Sequence, residues 1–141
     1  MNIVELIFFE NTGHSGPALI EGGRSVSYPE LFKDVRSVAK QLEAGGLKKG
    51  AYVAIYMRGG IDYIVISLAV LLCGAVLVPI IETAGEEEIR DVLRTVGAEM
   101  LISGRRLLGL RQVVLNSGTF PSKRDLIYWV PQGVFDPLES V

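Results

Sequence analysis

The chain is 141 residues long, which suits one domain with a hydrophobic core and is too short for two typical domains. Hydrophobic residues make up 49% of it and charged residues 21%, a composition that argues against an intrinsically disordered chain. The formal net charge of -2 gives no electrostatic basis for binding nucleic acid. We therefore expect a folded domain with no nucleic acid among its partners.

The first 27 residues predict a short helix followed by a β-hairpin. Residues 2–9 are interpreted as a short helix with mixed apolar faces, and the glycine-containing stretch 11–17 is a loop by composition. Residues 18–20 and 25–27 then flank a Glu21-Gly22-Gly23-Arg24 segment. Because glycine reaches positive φ at little steric cost, a Gly-Gly pair between two short apolar segments favours a hairpin turn.

A long amphipathic helix is predicted from Tyr28 to Ala44. Ser27 and Glu30 have the S-x-x-E spacing of a capping box, and Pro29 lies in the first turn, where its missing N–H costs nothing. The predicted buried positions recur every three or four residues: Leu31, Val35, Val38, Ala39 and Leu42. Gly45-Gly46 ends the helix.

Strands and helices then alternate. We predict strands at residues 52–57, 76–80, 99–102 and 112–115, helices at 61–73 and from Glu86 onward, and one more short strand within 126–130. Such alternation predicts an α/β fold: a three-layer sandwich with a mostly parallel sheet, helices on both faces and the small N-terminal hairpin. We divide the chain into an α/β subdomain, residues 1–115, and an irregular tail, residues 116–141.

An uncharged stretch from residue 63 to residue 81 is long enough to span a bilayer. Gly74 and Pro79 interrupt it, and the segment after Gly74 is the continuous apolar run typical of a buried parallel strand. We therefore predict a buried helix plus a buried strand and no membrane span. The first residues lack the basic region of a signal peptide, and Cys73, the single cysteine, excludes an intramolecular disulfide. Both features favour the cytoplasm.

The candidate reactive groups have structural interpretations that we favour. Cys73 lies in an apolar run, where cysteine usually packs as a small hydrophobe, although pairing with His14, the single histidine, would make it a nucleophile. One cysteine and one histidine do not suffice for a Cys/His zinc site. The acids Glu86, Glu87 and Glu88 are interpreted as a solvated first helical turn and not as a metal site, since adjacent helical residues point in different directions.

Three segments are candidates for binding phosphate. Arg58-Gly59-Gly60 lies between a predicted strand and a predicted helix, but it has neither the G-x-G-x-x-G nor the G-x-x-x-x-G-K-[ST] spacing. Residues 116–123 contain hydroxyl groups, Gly118 and Lys123, but lack a second glycine, so a surface loop is favoured. The arginines at positions 105, 106 and 111 are interpreted as a solvated face.

Four segments, in order and with natural spacing, resemble the opening of an adenylate-forming enzyme. They are residues 17–20 (PALI), 27–31 (SYPEL), 46–55 (GLKKGAYVAI) and 67–80 (SLAVLLCGAVLVPI). The superfamily includes acyl-CoA synthetases, adenylation domains of peptide synthetases and luciferases. The resemblance covers residues 18–103 and implies a parent enzyme that activates a carboxylic acid with ATP and Mg, then transfers the acyl group to a thiol such as coenzyme A.

The motifs that carry catalysis in this superfamily are absent from the sequence. These are the Ser/Thr/Gly-rich phosphate loop ending in Pro-Lys-Gly, the tyrosine-glycine-x-threonine-glutamate motif, the ribose-binding aspartate and the C-terminal lysine. None of the superfamily's catalytic, cofactor-binding or metal-binding residues can therefore be carried onto a position here, and we expect no cofactor for this chain alone.

The sequence leaves three hypotheses about function. The first is an N-terminal fragment or truncated relative of an acyl-CoA synthetase, inactive on its own. The alternative is a standalone binding or interaction module that reuses this half-domain, and a third is a small nucleotide-binding domain. A severed half-sheet would expose apolar surface at its edge and along the 61–73 helix, so we also expect a homo-oligomer.

Overall fold

The computed structural model describes residues 2–103, 113–114 and 128–130, and within them the elements follow the predicted order. The helices are α1 (Ile3–Glu10), α2 (Tyr28–Ala44), α3 (Ile61–Leu72) and α4 (Glu86–Val96). The strands are β1 (Pro17–Glu21), β2 (Arg24–Ser27), β3 (Tyr52–Tyr56), β4 (Val76–Pro79), β5 (Met100–Ser103), β6 (Val113–Val114) and β7 (Tyr128–Val130).

The strands form two sheets. β1 and β2 pair antiparallel as the predicted hairpin, and the other five are ordered β4-β3-β5-β7-β6. β3 is parallel to both β4 and β5, whereas β7 runs antiparallel to β5 and β6. The mostly parallel α/β sheet is confirmed. β7 lies within the predicted tail and pairs with β5, and the boundary at residues 115 and 116 stays a prediction.

The alternation of side chains along β3 separates two hydrophobic cores. Val53 and Ile55 pack with residues of α2 and α3 on one face, while Ala54 and Tyr56 pack with Ile89 and other residues of α4 on the opposite face. Successive strand residues point to opposite faces of a sheet, so a strand that is apolar throughout must be covered on both. This arrangement confirms the three-layer architecture.

The predicted helix ends agree closely with the structure, because glycines close three helices in the same way. Gly46, Gly74 and Gly97 have φ of 103°, 75° and 65°, and the residue after each donates its N–H to a carbonyl five positions earlier, at 2.9 to 3.3 Å. This is the Schellman motif, which requires a residue that tolerates positive φ. At the start of α2, Ser27 Oγ accepts from the N–H of Glu30 at 3.3 Å, as the capping box predicts.

One detail of that capping box differs from the prediction. The Glu30 carboxylate accepts the Ser27 hydroxyl proton at 3.0 Å, whereas a capping box directs it to the N-cap backbone N–H. A hydroxyl can rotate its proton toward the nearest strong acceptor, and the carboxylate lies within reach.

The uncharged stretch between residues 63 and 81 is divided as predicted, between the end of α3 and the strand β4. In the described part of the chain, no helix is both long and apolar enough to cross a bilayer.

Candidate functional site

The turn between β3 and α3 is the place where an α/β fold could hold a phosphate, and here a side chain of the protein fills it. α3 begins at Ile61 directly after Gly60, whose φ of 145° is accessible to glycine alone. Glu21, at the end of β1, accepts the N–H of Ile61 at 3.2 Å through its carboxylate. A Cβ on Gly60 would collide with that carboxylate.

A second polar contact joins the same two elements. Arg24, the first residue of β2, donates from Nη2 to Asp62 Oδ1 at 3.3 Å, and both side chains are largely buried. The Arg24 Nε atom is also buried and has no hydrogen-bond partner among the described residues. Glu21 and Arg24 are register partners on either side of the hairpin turn. They therefore bind two consecutive residues at the start of α3.

This arrangement opposes the binding of an anion at the start of α3. The first N–H groups of a helix attract negative charge, and a carboxylate is already placed there. A phosphate would have to displace Glu21 and would face Asp62 as well. The interpretation of Arg58-Gly59-Gly60 as an ordinary strand-to-helix turn agrees with this geometry.

Cys73 and His14 make contacts in separate parts of the molecule. Cys73 Sγ donates to the carbonyl of Ala39 at 3.6 Å, whereas the ring of His14 packs on Tyr28 with 4.8 Å between centroids. Tyr28 and Ala39 are eleven residues apart on α2, roughly 16 Å along the helix axis. His14 Nδ1 accepts from the N–H of Gly16. The structure does not bring Cys73 and His14 together as a Cys–His pair.

The environment of Cys73 also disfavours nucleophilic chemistry. Burial, the negative charge of Glu43 and a hydrogen bond to it raise the pKa of the Cys73 thiol to about 12. The thiolate is the reactive species, so a thiol with this pKa is inert at neutral pH.

The remaining sequence candidates gain no chemistry from the structure. Glu86, Glu87 and Glu88 form the first turn of α4, as predicted. Across the described ranges, no group of three or more His, Cys, Asp or Glu side chains could hold a metal ion. The basic positions 105, 106 and 111 and the loop 116–123 lie outside the described residues.

Tyr56 is a polar residue at the carboxyl end of β3 that the sequence reasoning missed. It ends β3, is almost completely buried, and its hydroxyl lies 3.0 Å from the carbonyl oxygens of both Glu82 and Ala84. It thereby fixes the turn between β4 and α4 at the carboxyl ends of the parallel strands, where α/β folds bind ligands. Its only signal in the sequence is a phenol at the end of a buried strand.

Comparison with known proteins identifies the family. The family model of the AMP-binding enzyme matches residues 9–128. This chain belongs to the AMP-binding enzyme family. Malpibaldin synthetase of Mortierella alpina is 32% identical over 99 residues, which cover 68% of this chain and 2% of that protein. Acetyl-coenzyme A synthetase of Emericella nidulans is 31% identical over 98 residues, covering 65% of this chain and 15% of that protein.

Solved structures show the same relationship. The N-terminal subdomain of Klebsiella oxytoca NpsA, in complex with 3-hydroxybenzoyl-AMSN, is 32% identical with a TM-score of 0.70. The match covers 77% of this chain and 28% of that one. The fold is therefore that of the N-terminal part of an AMP-binding enzyme, and the chain spans a small share of each relative.

The narrower prediction of an acyl-CoA synthetase is not settled by these relatives. They include acetyl-coenzyme A synthetase and several proteins named as peptide synthetases. The segments that carried the resemblance have clear structural places in the AMP-binding fold: residues 27–31 start α2, residues 46–55 lead into β3, and residues 67–80 end α3 and form β4.

Proposed function

We propose that this chain is the scaffold-forming first part of an adenylate-forming enzyme and does not activate an acid by itself. The single observation that carries the proposal is a contact at the turn before α3. There the Glu21 carboxylate accepts the N–H of Ile61, the first residue of the helix. Adenylation builds negative charge on the α-phosphate and needs preorganised donors to stabilise it. While the Glu21 carboxylate is bound there, the start of α3 does not supply such donors.

For the parent enzyme we propose an ATP- and Mg-dependent ligase that joins a carboxylic acid to a thiol. The AMP-binding family match supports the use of ATP. Coenzyme A as the thiol is supported by the similarity to acetyl-coenzyme A synthetase. A thiol on a carrier protein is the second candidate, because this chain is also similar to NpsA-ThdA, an artificially fused adenylation–PCP di-domain from Klebsiella oxytoca. We place the protein in the cytoplasm, in keeping with its single cysteine.

ATP–pyrophosphate exchange tests the absence of activity directly. The purified chain is incubated with ATP, Mg, labelled pyrophosphate and panels of fatty, aromatic and amino acids, beside the NpsA enzyme as a positive control. We expect label in ATP with NpsA and none above background with this chain. Exchange catalysed by this chain with any acid would overturn the proposal.

A standalone interaction module remains the alternative, and the gene distinguishes it. A reading frame that continues beyond Val141 into a Ser/Thr/Gly-rich loop ending in Pro-Lys-Gly supports the fragment. A stop codon after Val141 supports the module.

We also propose that the isolated chain self-associates through exposed apolar side chains. Ile3, Leu6 and Phe9 lie on the outer side of α1, opposite the buried Val4 and Phe8. On α3, by contrast, Ile64 is the large apolar residue most exposed, at 37%. Exposed apolar residues at three-residue spacing form a stripe on a helix, and such stripes favour association.

Pairing through the free edge of β4 is less favourable than the sequence suggested. Val76 and Ile80 donate their N–H groups inward to the β3 side, at 2.7 and 2.9 Å. In a parallel strand the backbone groups alternate in direction, so those of Leu77 and Pro79 face the outer edge. Proline has no N–H, and this edge therefore offers few donors to a second chain.

Light scattering tests self-association through α1. We expect a dimer or larger species that Leu6→Glu dissociates, and a monomer at high concentration would refute self-association.

A further inference from the structure

The β1–β2 hairpin touches both long helices on one side of the sheet. β2 runs directly into α2 at Ser27, and β1 contacts both α2 and α3. Val26 of β2 is buried in the core that α2 and α3 share, while Ala18 and Leu19 of β1 pack against it partly exposed. The hairpin is therefore covalently continuous with one helix and only non-covalently attached to the other.

Its attachment to α3 is concentrated at the hairpin turn. Glu21 binds the Ile61 N–H, and Arg24 binds the Asp62 carboxylate. Arg24 thus brings a positive charge to a helix start that also carries the carboxylates of Asp62 and Glu21. Without Arg24, Asp62 would lose its ion-pair partner, and without Glu21 the N–H of Ile61 would lose its acceptor.

Two features of the start of α3 allow the Glu21 carboxylate to bind there. α3 has no side-chain cap of its own, because glycine occupies its N-cap position. Glycine at position 60 also leaves room for the Glu21 carboxylate, which a Cβ would displace. Glu21, forty positions before Ile61 in the chain, therefore accepts an N–H group at the start of the helix. In an ordinary helix the side chain of Ser, Thr, Asp or Asn at the N-cap position accepts such a group.

We propose that the β1–β2 hairpin is a strap over the start of α3 and that Glu21 is its latch. With the latch closed, the strap ties α3 to α2. With the latch open, the turn of the hairpin lifts from the start of α3 and uncaps its first turn, while Val26 stays in the core. Glu21 is otherwise exposed to solvent. An exposed charge contact contributes little free energy, so the strap opens far more often than the molecule unfolds.

Hydrogen exchange of the full chain, followed by mass spectrometry, tests the strap. Three variants are compared with the wild type: Glu21→Gln weakens the latch, Glu21→Asp keeps the charge but shortens its reach, and Glu99→Gln removes one exposed carboxylate elsewhere as the matched control. Glu99 precedes β5, away from the hairpin.

We expect both Glu21 variants to raise exchange about fivefold in the hairpin turn, residues 21–24, and in the first turn of α3, with no change in α4 and β5. The Glu99 variant should match the wild type everywhere. Unchanged exchange in the hairpin of the Glu21 variants would overturn the proposal. A uniform rise throughout the chain would also overturn it, because the contact would then stabilise the whole domain and not the strap.

Discussion

α2 and α3 pack against each other, yet they satisfy their ends in different ways. The start of α2 is capped by its neighbour Ser27, and its last carbonyls bind the N–H groups of Gly46 and Leu47. α3 has the same glycine motif at its end but takes further partners from distant residues at both ends. Glu21 caps its start, and the Asn2 side chain donates to the carbonyls of Leu71 and Leu72, at 3.2 and 3.0 Å.

The difference shows which helix the N-terminal segment supports. The residues that cap α2 lie next to it in the sequence, whereas the ends of α3 also bind Asn2 and Glu21. Asn2 has a double role, since its Oδ1 also accepts the N–H groups of Val4 and Glu5 at the start of α1. A change at Asn2 should therefore affect the end of α3 more than α2, although α2 is closer in sequence.

The largest expected effect is at the start of α3. Gly60→Ala places a side chain in a backbone conformation reserved for glycine and against the Glu21 carboxylate. We expect the free energy of unfolding to fall by about 2–3 kcal/mol, measured by urea denaturation. Gly59→Ala is the matched control, since a Cβ there meets no atom within 4 Å and its φ is not positive. Equal destabilisation by both substitutions would contradict the distant cap.

Sequence reasoning predicted the elements that depend on local signals and missed those that depend on distant ones. The Ser27–Glu30 spacing and the helix-ending glycines define α2 within a few residues, because capping and positive φ act through adjacent backbone groups. The contact between Glu21 and Ile61 spans 40 residues, and no periodic pattern records it. The antiparallel direction of β7 was also missed, since a three-residue strand carries too few side chains to specify its partner.

The same reasoning applies to the candidate site. The sequence correctly indicated that Arg58-Gly59-Gly60 lacks a phosphate-loop spacing, but composition alone did not show that Glu21 fills the turn. Tyr56 was missed because its partners are the backbone carbonyls of residues 82 and 84. Every residue has a backbone carbonyl, so no residue type in the sequence marks this contact.

Removing the caps formed by Asn2 and Ser27 should lower the free energy of unfolding by an intermediate amount. Asn2→Ala removes two acceptor contacts in α1 and two donor contacts to the end of α3, so we expect a loss of about 1–2 kcal/mol in the free energy of unfolding. Ser27→Ala removes one local cap and should cost about 1 kcal/mol. Hydrogen exchange should locate the first loss at residues 69–74 as well as in α1, and the second in α2 alone. If Asn2→Ala left α3 unchanged, its role there would be disproved.

The smallest effect on stability near neutral pH concerns Cys73, where α3 meets α2. Its thiol is neutral in both the folded and the unfolded chain at pH 7, so ionisation contributes nothing there. Because the pKa rises from 9.0 to about 12 on folding, the unfolded chain loses this proton first as the pH increases. Folding stability should therefore decline as the pH rises above 9, and continue to fall until about pH 12.

Alkylation makes the same ionisation visible, and the single cysteine gives an unambiguous signal. A shift from 9.0 to about 12 lowers the thiolate fraction at pH 8 by about a thousandfold, so iodoacetamide should react far more slowly with the folded chain than with the same chain in urea. Glu43→Gln removes the negative charge beside the sulfur and should speed the reaction, whereas Glu99→Gln should not. Burial is the largest cause of the shift, so the Glu43 variant should still react more slowly than the unfolded chain. A folded thiol as reactive as the unfolded one would show that Cys73 is not buried beside Glu43.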